Sequence, residues 1–111
     1  MAQFVVGDRF QSRDRRLDSP ALADKMLRRG VSRAEIQAVL ENNEVIEVYE
    51  HQDRIRYVLL GQVEGRPLHV VVAEDDVVDA TVVLSVYEPD EDHGWDAASG
   101  FRKRKEQSDG A

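Results

Sequence analysis

The spacing of apolar residues changes at Glu44, from the period of a helix to the period of a strand. Upstream, apolar residues recur every three or four positions over 18–29 and 32–42. Downstream, four segments rich in Val, Ile, Leu and Tyr are separated by short polar turns, and such turns join antiparallel neighbours. The sequence therefore predicts an α+β fold in which two N-terminal helices pack on one face of a four-stranded antiparallel meander (ααββββ), with strands at 44–50, 55–61, 67–73 and 77–87.

The sequence carries capping signals for both helices. Asp18 or Ser19 is a suitable N-cap before Pro20, and Gly30 supplies the left-handed residue that ends the first helix. Ser32 and Glu35 have the spacing of a capping box at the start of the second. The predicted buried stripes consist of Leu22, Ala23, Met26 and Leu27 on the first helix and Ile36, Val39 and Leu40 on the second.

Strand alternation predicts which residues face the helices, although a bulge in any strand would invert its assignment. The residues predicted to face the helices are Ile46, Val48, Ile55, Tyr57, Leu59, Leu68, Val70, Val72, Val78, Ala80, Val82, Leu84 and Val86. The residues predicted for the opposite face are Glu47, Tyr49, Arg56, Val58, His69, Val71, Thr81, Val83, Ser85 and Tyr87.

The length of 111 residues allows one domain. We expect a flexible N-terminal arm over 1–17, a single α+β domain over 18–98, and a basic, disordered tail over 99–111. Because the chain has no cysteine, disulfides and thiol chemistry are excluded. The N-terminus has neither a secretory signal nor a membrane-spanning apolar run, so we expect a cytoplasmic protein without membrane contact.

The net charge is -7, and most of the negative charge lies within 18–90. Because nucleic-acid affinity depends largely on Lys and Arg, this acidity disfavours RNA as a general partner and leaves room only for a local basic patch.

His69 is the most informative polar side chain, because it interrupts an otherwise apolar strand. If it shares a sheet face with Glu47, Arg56 and Tyr87, the four supply the groups for metal-free phosphodiester cleavage. His69 would then act as general base or acid, and Arg56 would stabilise the pentavalent phosphate. The alternative is a structural set of cross-strand pairs, such as Glu47 with Arg56 or Tyr49 over Arg56. The sequence leaves both interpretations open.

Arg29 is a candidate phosphate-binding residue, although a cation in the last turn of a helix is also explained by the helix dipole. The run Asp90-Glu91-Asp92-His93 contains metal-ligand side chains but has no recognised metal-binding spacing. We therefore expect neither a metal nor a cofactor.

Four phrases together resemble the bacterial domain-of-unknown-function family 4258. They are Arg28-Arg29-Gly30-Val31-Ser32, Glu44-Val45-Ile46-Glu47-Val48-Tyr49, Gly65-Arg66-Pro67-Leu68-His69-Val70-Val71, and Val86-Tyr87-Glu88-Pro89-Asp90 leading to Trp95. The resemblance implies the same αα-ββββ order and, by more distant analogy, a similarity to RelE- and BrnT-like ribonuclease toxins. The family usually opens its first helix with a His-Ala pair, whereas Ala21-Leu22 stands at that place here.

The sequence thus predicts a small cytoplasmic bacterial domain of uncharacterised role, with two functional hypotheses. The first is a toxin-like, metal-independent ribonuclease that uses His69, Arg56, Tyr87 and Glu47 for catalysis and Arg29 for substrate binding. The second is a non-catalytic protein–protein interaction module, which the acidity favours. Either would accommodate a protein partner such as an antitoxin.

Overall fold

The computed structural model describes residues 14–17, 19–75 and 80–102. Two α-helices precede the four long strands, as predicted from the change of hydrophobic period. The elements are β1 (Asp14–Arg16), α1 (Pro20–Arg29), α2 (Arg33–Glu41), β2 (Glu44–His51), β3 (Arg54–Val63), β4 (Arg66–Asp75), β5 (Ala80–Tyr87) and a short 3-10 helix (Glu91–His93).

The predicted capping signals define the ends of both helices. The Ser19 hydroxyl accepts a hydrogen bond from the backbone N–H of Leu22, and Gly30 ends α1 with a φ of 66°. Ser32 and Glu35 form the reciprocal capping box at the start of α2. These local interactions fix the turn between the helices, so that both pack on the same face of the sheet.

The sheet has the order β1-β5-β4-β3-β2. Strands β2 to β5 form the predicted antiparallel meander. Asp14–Arg16 add a fifth strand, parallel to β5, where the sequence predicted an irregular arm. Leu17, which follows β1, is buried in the core. Residues 1–13 of the predicted arm lie outside the described residues.

The core lies between the helices and one face of the sheet. Leu22 of α1 and the three predicted apolar residues of α2 are fully buried against Leu59, Val70 and Val72. The predicted stripe of α1 is wrong at two positions, because Ala23 is exposed and Leu27 is 83% exposed. Only Leu22 and Met26 of that stripe contact the core, so α1 contributes less apolar area than α2.

Two β-bulges change the face assignment in the strands that contain them. The register shifts between Val45 and Glu47, so Val45, and not Ile46, pairs with Leu59 and packs against the core. The register of β4 with β5 shifts between Val71 and Val72, where Leu84 is the extra residue. Val83 consequently faces the helices.

This second bulge makes the predicted faces wrong for the first half of β5. Val83 and Thr81 lie on the helix side, opposite Val72 and Glu74, whereas Val82 pairs with Ala73 on the other side. From Ser85 onward the alternation agrees with the prediction. The assignments in β3 and β4 are confirmed throughout the predicted residues, and Val78 lies outside the described residues.

The chain after β5 crosses the sheet face that the helices leave uncovered. Trp95 forms an isolated antiparallel bridge with Arg102, and Trp95 and Gly100 are both buried. The first four residues of the predicted disordered tail, 99–102, belong to this packed segment, which we call the C-terminal strap (residues 90–102). Residues 103–111 lie outside the described part of the chain.

Candidate functional site

The four predicted catalytic residues lie on the same face of the sheet, opposite the helices. His69 is directly opposite Tyr87 across the β4–β5 pair. Glu47 is opposite Val58, which in turn pairs with Val71 of β4, two residues from His69. Because side chains two positions apart share a face, the register also places Arg56 on this side.

His69 is completely buried beneath the C-terminal strap. Its Nε2 lies 2.8 Å from the carbonyl oxygen of Gly100. A carbonyl oxygen only accepts, so Nε2 carries the hydrogen and donates a hydrogen bond to that oxygen. The other ring nitrogen, Nδ1, is buried without a hydrogen-bond partner among the described residues. Burial lowers the pKa of His69 below its ordinary value, although the Gly100 carbonyl opposes this effect. The ring is therefore neutral, and it has no contact with solvent.

Two aromatic rings and an ion pair enclose His69. The Trp95 ring contacts it edge to face at 4.5 Å between centroids, and the Tyr87 ring does so at 5.1 Å. Arg102 stacks on Trp95 at 3.9 Å from the ring centroid and places a guanidinium nitrogen 2.5 Å from a carboxylate oxygen of Glu47. Glu47 thus pairs with the strap and not with Arg56, which corrects one of the predicted cross-strand pairs.

Arg56 lies away from the other predicted residues. It is directly opposite Tyr49 on β2 and Ala73 on β4, so the register makes Tyr49 and Arg56 cross-strand neighbours. Ala73 is four residues from His69 along β4, a separation of roughly 13 Å in a strand. The register therefore brings Glu47, His69 and Tyr87 close together and separates Arg56 from them.

A cleft of about 540 Å³ opens where β5 ends. It brings together Arg29 of α1, which was predicted to bind substrate, Tyr87 of β5, which was predicted to be catalytic, and residues of the strap. Its lining residues are Arg29, Tyr87, Glu88, Asp90, His93 and Trp95. Arg29 is held at the rim because one of its guanidinium nitrogens donates a 2.9 Å hydrogen bond to the Val86 carbonyl. Of the predicted site residues, Arg29 and Tyr87 are the two that meet here.

The phenol of Tyr87 stays protonated over the physiological range. Burial raises its pKa to about 12, and the nearby tyrosine and carboxylate charges act in the same direction. The group can therefore donate a hydrogen bond to a ligand in the cleft but cannot act as a base near neutral pH. This chemistry suits a positioning role.

Asp90 and His93 form an exposed pair on the cleft that the sequence analysis did not assign to the site. The Asp90 carboxylate lies 2.6 Å from Nδ1 of His93 and also accepts the backbone N–H of that residue. The hydrogen bond from His93 is the main cause that lowers the pKa of Asp90. Because Asp90 accepts the hydrogen bond, Nδ1 carries the hydrogen, which leaves Nε2 as the nitrogen that can take up a proton.

A signal for this pair was present in the sequence. Asp90 precedes His93 by three residues directly after a strand, which is the spacing of an N-cap followed by one short helical turn. The sequence analysis interpreted residues 90–93 only as possible metal ligands, so it did not predict the Asp90–His93 pair.

The rim of the cleft is attached to α2 through Arg66. Its guanidinium bonds a Glu35 carboxylate oxygen at 2.7 Å and also pairs with Glu88. The backbone N–H of Ser32 and the Arg66 side chain lower the pKa of Glu35. Through these contacts, the capping box of α2 and the cleft residue Glu88 share one cation.

The described residues contain neither a metal-binding cluster nor a membrane-spanning helix. No group of three or more His, Cys, Asp or Glu side chains with the geometry of a metal site occurs within 14–17, 19–75 and 80–102. Within the same ranges, no helix has the length and apolar character needed to span a membrane.

Together, these features define a small α+β domain with two helices on an antiparallel sheet and a polar cleft at the end of its last strand. Residues 22–88 match the model of the domain of unknown function DUF4258. The chain belongs to this family, which confirms the resemblance. The match includes Arg29, His69 and Tyr87, whereas Asp90 and His93 follow it. No curated protein matches the chain significantly. No solved structure does so either.

Proposed function

We propose that this protein cleaves RNA without a metal ion, in the cleft at the end of β5. The observation that carries the proposal is that the Asp90–His93 pair, the Arg29 guanidinium and the Tyr87 phenol line one cleft. These groups supply a base, a cation and a neutral donor, which is the inventory of metal-independent phosphodiester chemistry. His93 takes the role that the sequence suggested for His69, because His69 is sealed beneath the strap.

In the proposed reaction, Nε2 of His93 removes the proton from a ribose 2′-hydroxyl. The 2′-oxygen then attacks the adjacent phosphorus, and the bond from phosphorus to the 5′-oxygen breaks. The leaving 5′-oxygen takes a proton from solvent, so that the products are a 2′,3′-cyclic phosphate and a 5′-hydroxyl. Arg29 stabilises the charge on the pentavalent phosphate, and Tyr87 donates a hydrogen bond to a phosphate oxygen. Asp90 orients the imidazole.

The charge of the chain sets the expected substrate size. A net charge of -7 repels a long polyphosphate, so binding depends on Arg29 in the cleft and not on an extended basic surface. We therefore expect short substrates, such as dinucleoside monophosphates, to be cleaved as effectively per bond as long RNA.

The test is cleavage of a dinucleoside monophosphate and of total RNA by the purified chain in the presence of a chelator. His93→Ala is expected to lower the rate about 100-fold, because it removes the general base. His51→Ala is the matched control, since His51 is an exposed histidine at the far end of β2. The control variant should keep the wild-type rate.

Three results would count against the proposal. They are an absence of cleavage by the wild-type protein, equal rates in the wild type and His93→Ala, and a 3′-phosphate product formed without the cyclic intermediate. If activity is lost in His69→Gln but kept in His93→Ala, the general base is the buried His69 and not His93.

A further inference from the structure

Strand β2 forms an outer edge of the sheet. The strand order ends with β2, and its pairing with β3 continues to His51 at the tip of the hairpin. No other described strand pairs with its outer side. Among the described residues, every second backbone N–H and C=O group along that side is therefore open to a further strand.

Strand β2 carries two of the usual protective devices of an edge strand, namely charged side chains and a bulge. A bulge occurs near its start, between Val45 and Glu47, but the register is regular from Glu47 to His51. The strand contains neither proline nor lysine, which are the residues that most often block edge pairing. The outer part of β2 is thus a regular template of five residues.

The side chains of this edge combine apolar and acidic groups. Val48 is 56% exposed and Ile55, near the hairpin tip on β3, is 47% exposed. Glu44, at the start of β2, and Glu50, near its end, are both exposed. Tyr49 lies on the opposite face from Val48. By register, Val48 and Glu50 point to the helix side and Glu44 and Tyr49 to the other side, so each side of this edge offers a carboxylate and an apolar side chain.

We propose that the outer edge of β2 binds an extended segment of another protein in which lysine or arginine alternates with apolar residues. In an alternating segment all cations project to one side of the sheet, so they would lie beside Glu50 on the helix side, while the apolar residues would cover Tyr49 on the other side. A second copy of this chain is a poor occupant, because two acidic β2 edges would place like charges side by side. The inference is independent of the RNA-cleavage proposal, since it uses no residue of the cleft.

The probe is a synthetic eight-residue peptide of alternating lysine and valine, added to the full-length, isotope-labelled protein. Binding should shift the NMR amide signals of residues 44–51 and slow the hydrogen exchange of the outward-facing amides among them. A peptide of the same sequence with every backbone nitrogen methylated is the control, because it keeps the charge and the side chains but has no N–H donors for strand pairing. It should leave the exchange of β2 unchanged.

Charge reversal tests the choice of occupant. Glu50→Lys should weaken binding of the peptide about fivefold, because a cation would then face the cationic probe. Glu64→Lys adds the same charge in the exposed β3–β4 turn and should have no such effect. The proposal is overturned if the N-methylated peptide binds equally, if the protected amides lie outside β2, or if the free protein is a dimer whose β2 amides are already protected.

Discussion

The imidazole of His69 on β4 is hydrogen-bonded to the backbone of Gly100, 31 residues further along the chain. This bond joins the sheet to the C-terminal strap, and the Trp95 ring and the Arg102–Glu47 ion pair connect the strap to the sheet beside it. The histidine therefore holds together two parts of the fold that the helices do not cover. Changes in the strap should therefore alter both the free energy of unfolding of the protein and the pKa of His69.

Replacement of Gly100 by alanine should detach the strap. Gly100 has a φ of +85°, and a Cβ atom there would lie 2.5 Å from a methyl carbon of Leu60 and 2.9 Å from the Cβ of Pro67. Backbone strain and overpacking together should lower the free energy of unfolding by about 2 to 4 kcal/mol. Urea denaturation measures the loss, and NMR titration should show the pKa of His69 rising towards its ordinary value as the ring becomes solvated.

Gly65→Ala provides the matched control. Gly65 has a similar φ of +83°, but a Cβ there would meet nothing within 4 Å. This variant should lose only about 1 kcal/mol from backbone strain, and the pKa of His69 should not change. Equal losses in the two variants would show that the strap does not press on Leu60 and Pro67.

Stability should fall as the pH drops below the ordinary pKa of histidine. Burial lowers the pKa of His69 in the folded state, so below about pH 6.5 the unfolded chain binds a proton that the folded protein does not. The contribution of His69 is therefore fully present above that pH and is lost as the pH falls towards the folded-state pKa. Urea midpoints at about pH 7.5 and about pH 5.5 should show this loss.

His69→Gln separates this effect from the titration of other groups. The glutamine amide can still donate to the Gly100 carbonyl, but it does not ionise in this range. The variant should lose less stability than the wild type between the two pH values. An identical pH dependence in both proteins would mean that His69 is solvated in the folded state.

The sequence was sufficient for the features that depend on local chemistry. Ser19, Gly30 and the Ser32–Glu35 box determined both helices, because capping involves residues only a few positions apart. The face of His69 was also predictable, since β3 and β4 pair without interruption. The bulge at Leu84 was not, because an extra residue leaves no mark in a strand whose residues are apolar at successive positions.

The candidate site was less predictable than the fold. Alternation placed His69 and Tyr87 on one face, but it could not show that the strap folds back over that face and buries the imidazole. That contact depends on long-range packing of Trp95 and Gly100, which has no sequence period. The cleft arises for the same reason, since Arg29 and His93 come from opposite ends of the folded region.

Gly61 should be intolerant of any side chain because α2 crosses β3 at this point. A Cβ on Gly61 would lie 2.8 Å from a methyl carbon of Val39 and 3.2 Å from its Cα. We expect Gly61→Ala to destabilise the protein by about 1 to 3 kcal/mol through overpacking, as measured by urea unfolding. Val39→Ala removes the two methyl groups, so the double variant should lose about 1 kcal/mol less than the sum of the single losses. Strict additivity would contradict the close approach of helix and strand.

The charge of Asp90, and not its shape, should matter for the proposed RNA cleavage. Asparagine at this position can still cap the 3-10 helix by accepting the backbone N–H of His93, but it lacks the negative charge that stabilises a protonated imidazole. Asp90→Asn should therefore lower the rate on a dinucleoside monophosphate about tenfold or more while leaving the urea midpoint nearly unchanged. Asp92→Asn removes an equal charge from an exposed neighbour in the same turn and should retain the wild-type rate. If both variants lose the same activity, the effect comes from the overall charge of the turn, and the Asp90–His93 pair has no specific catalytic role.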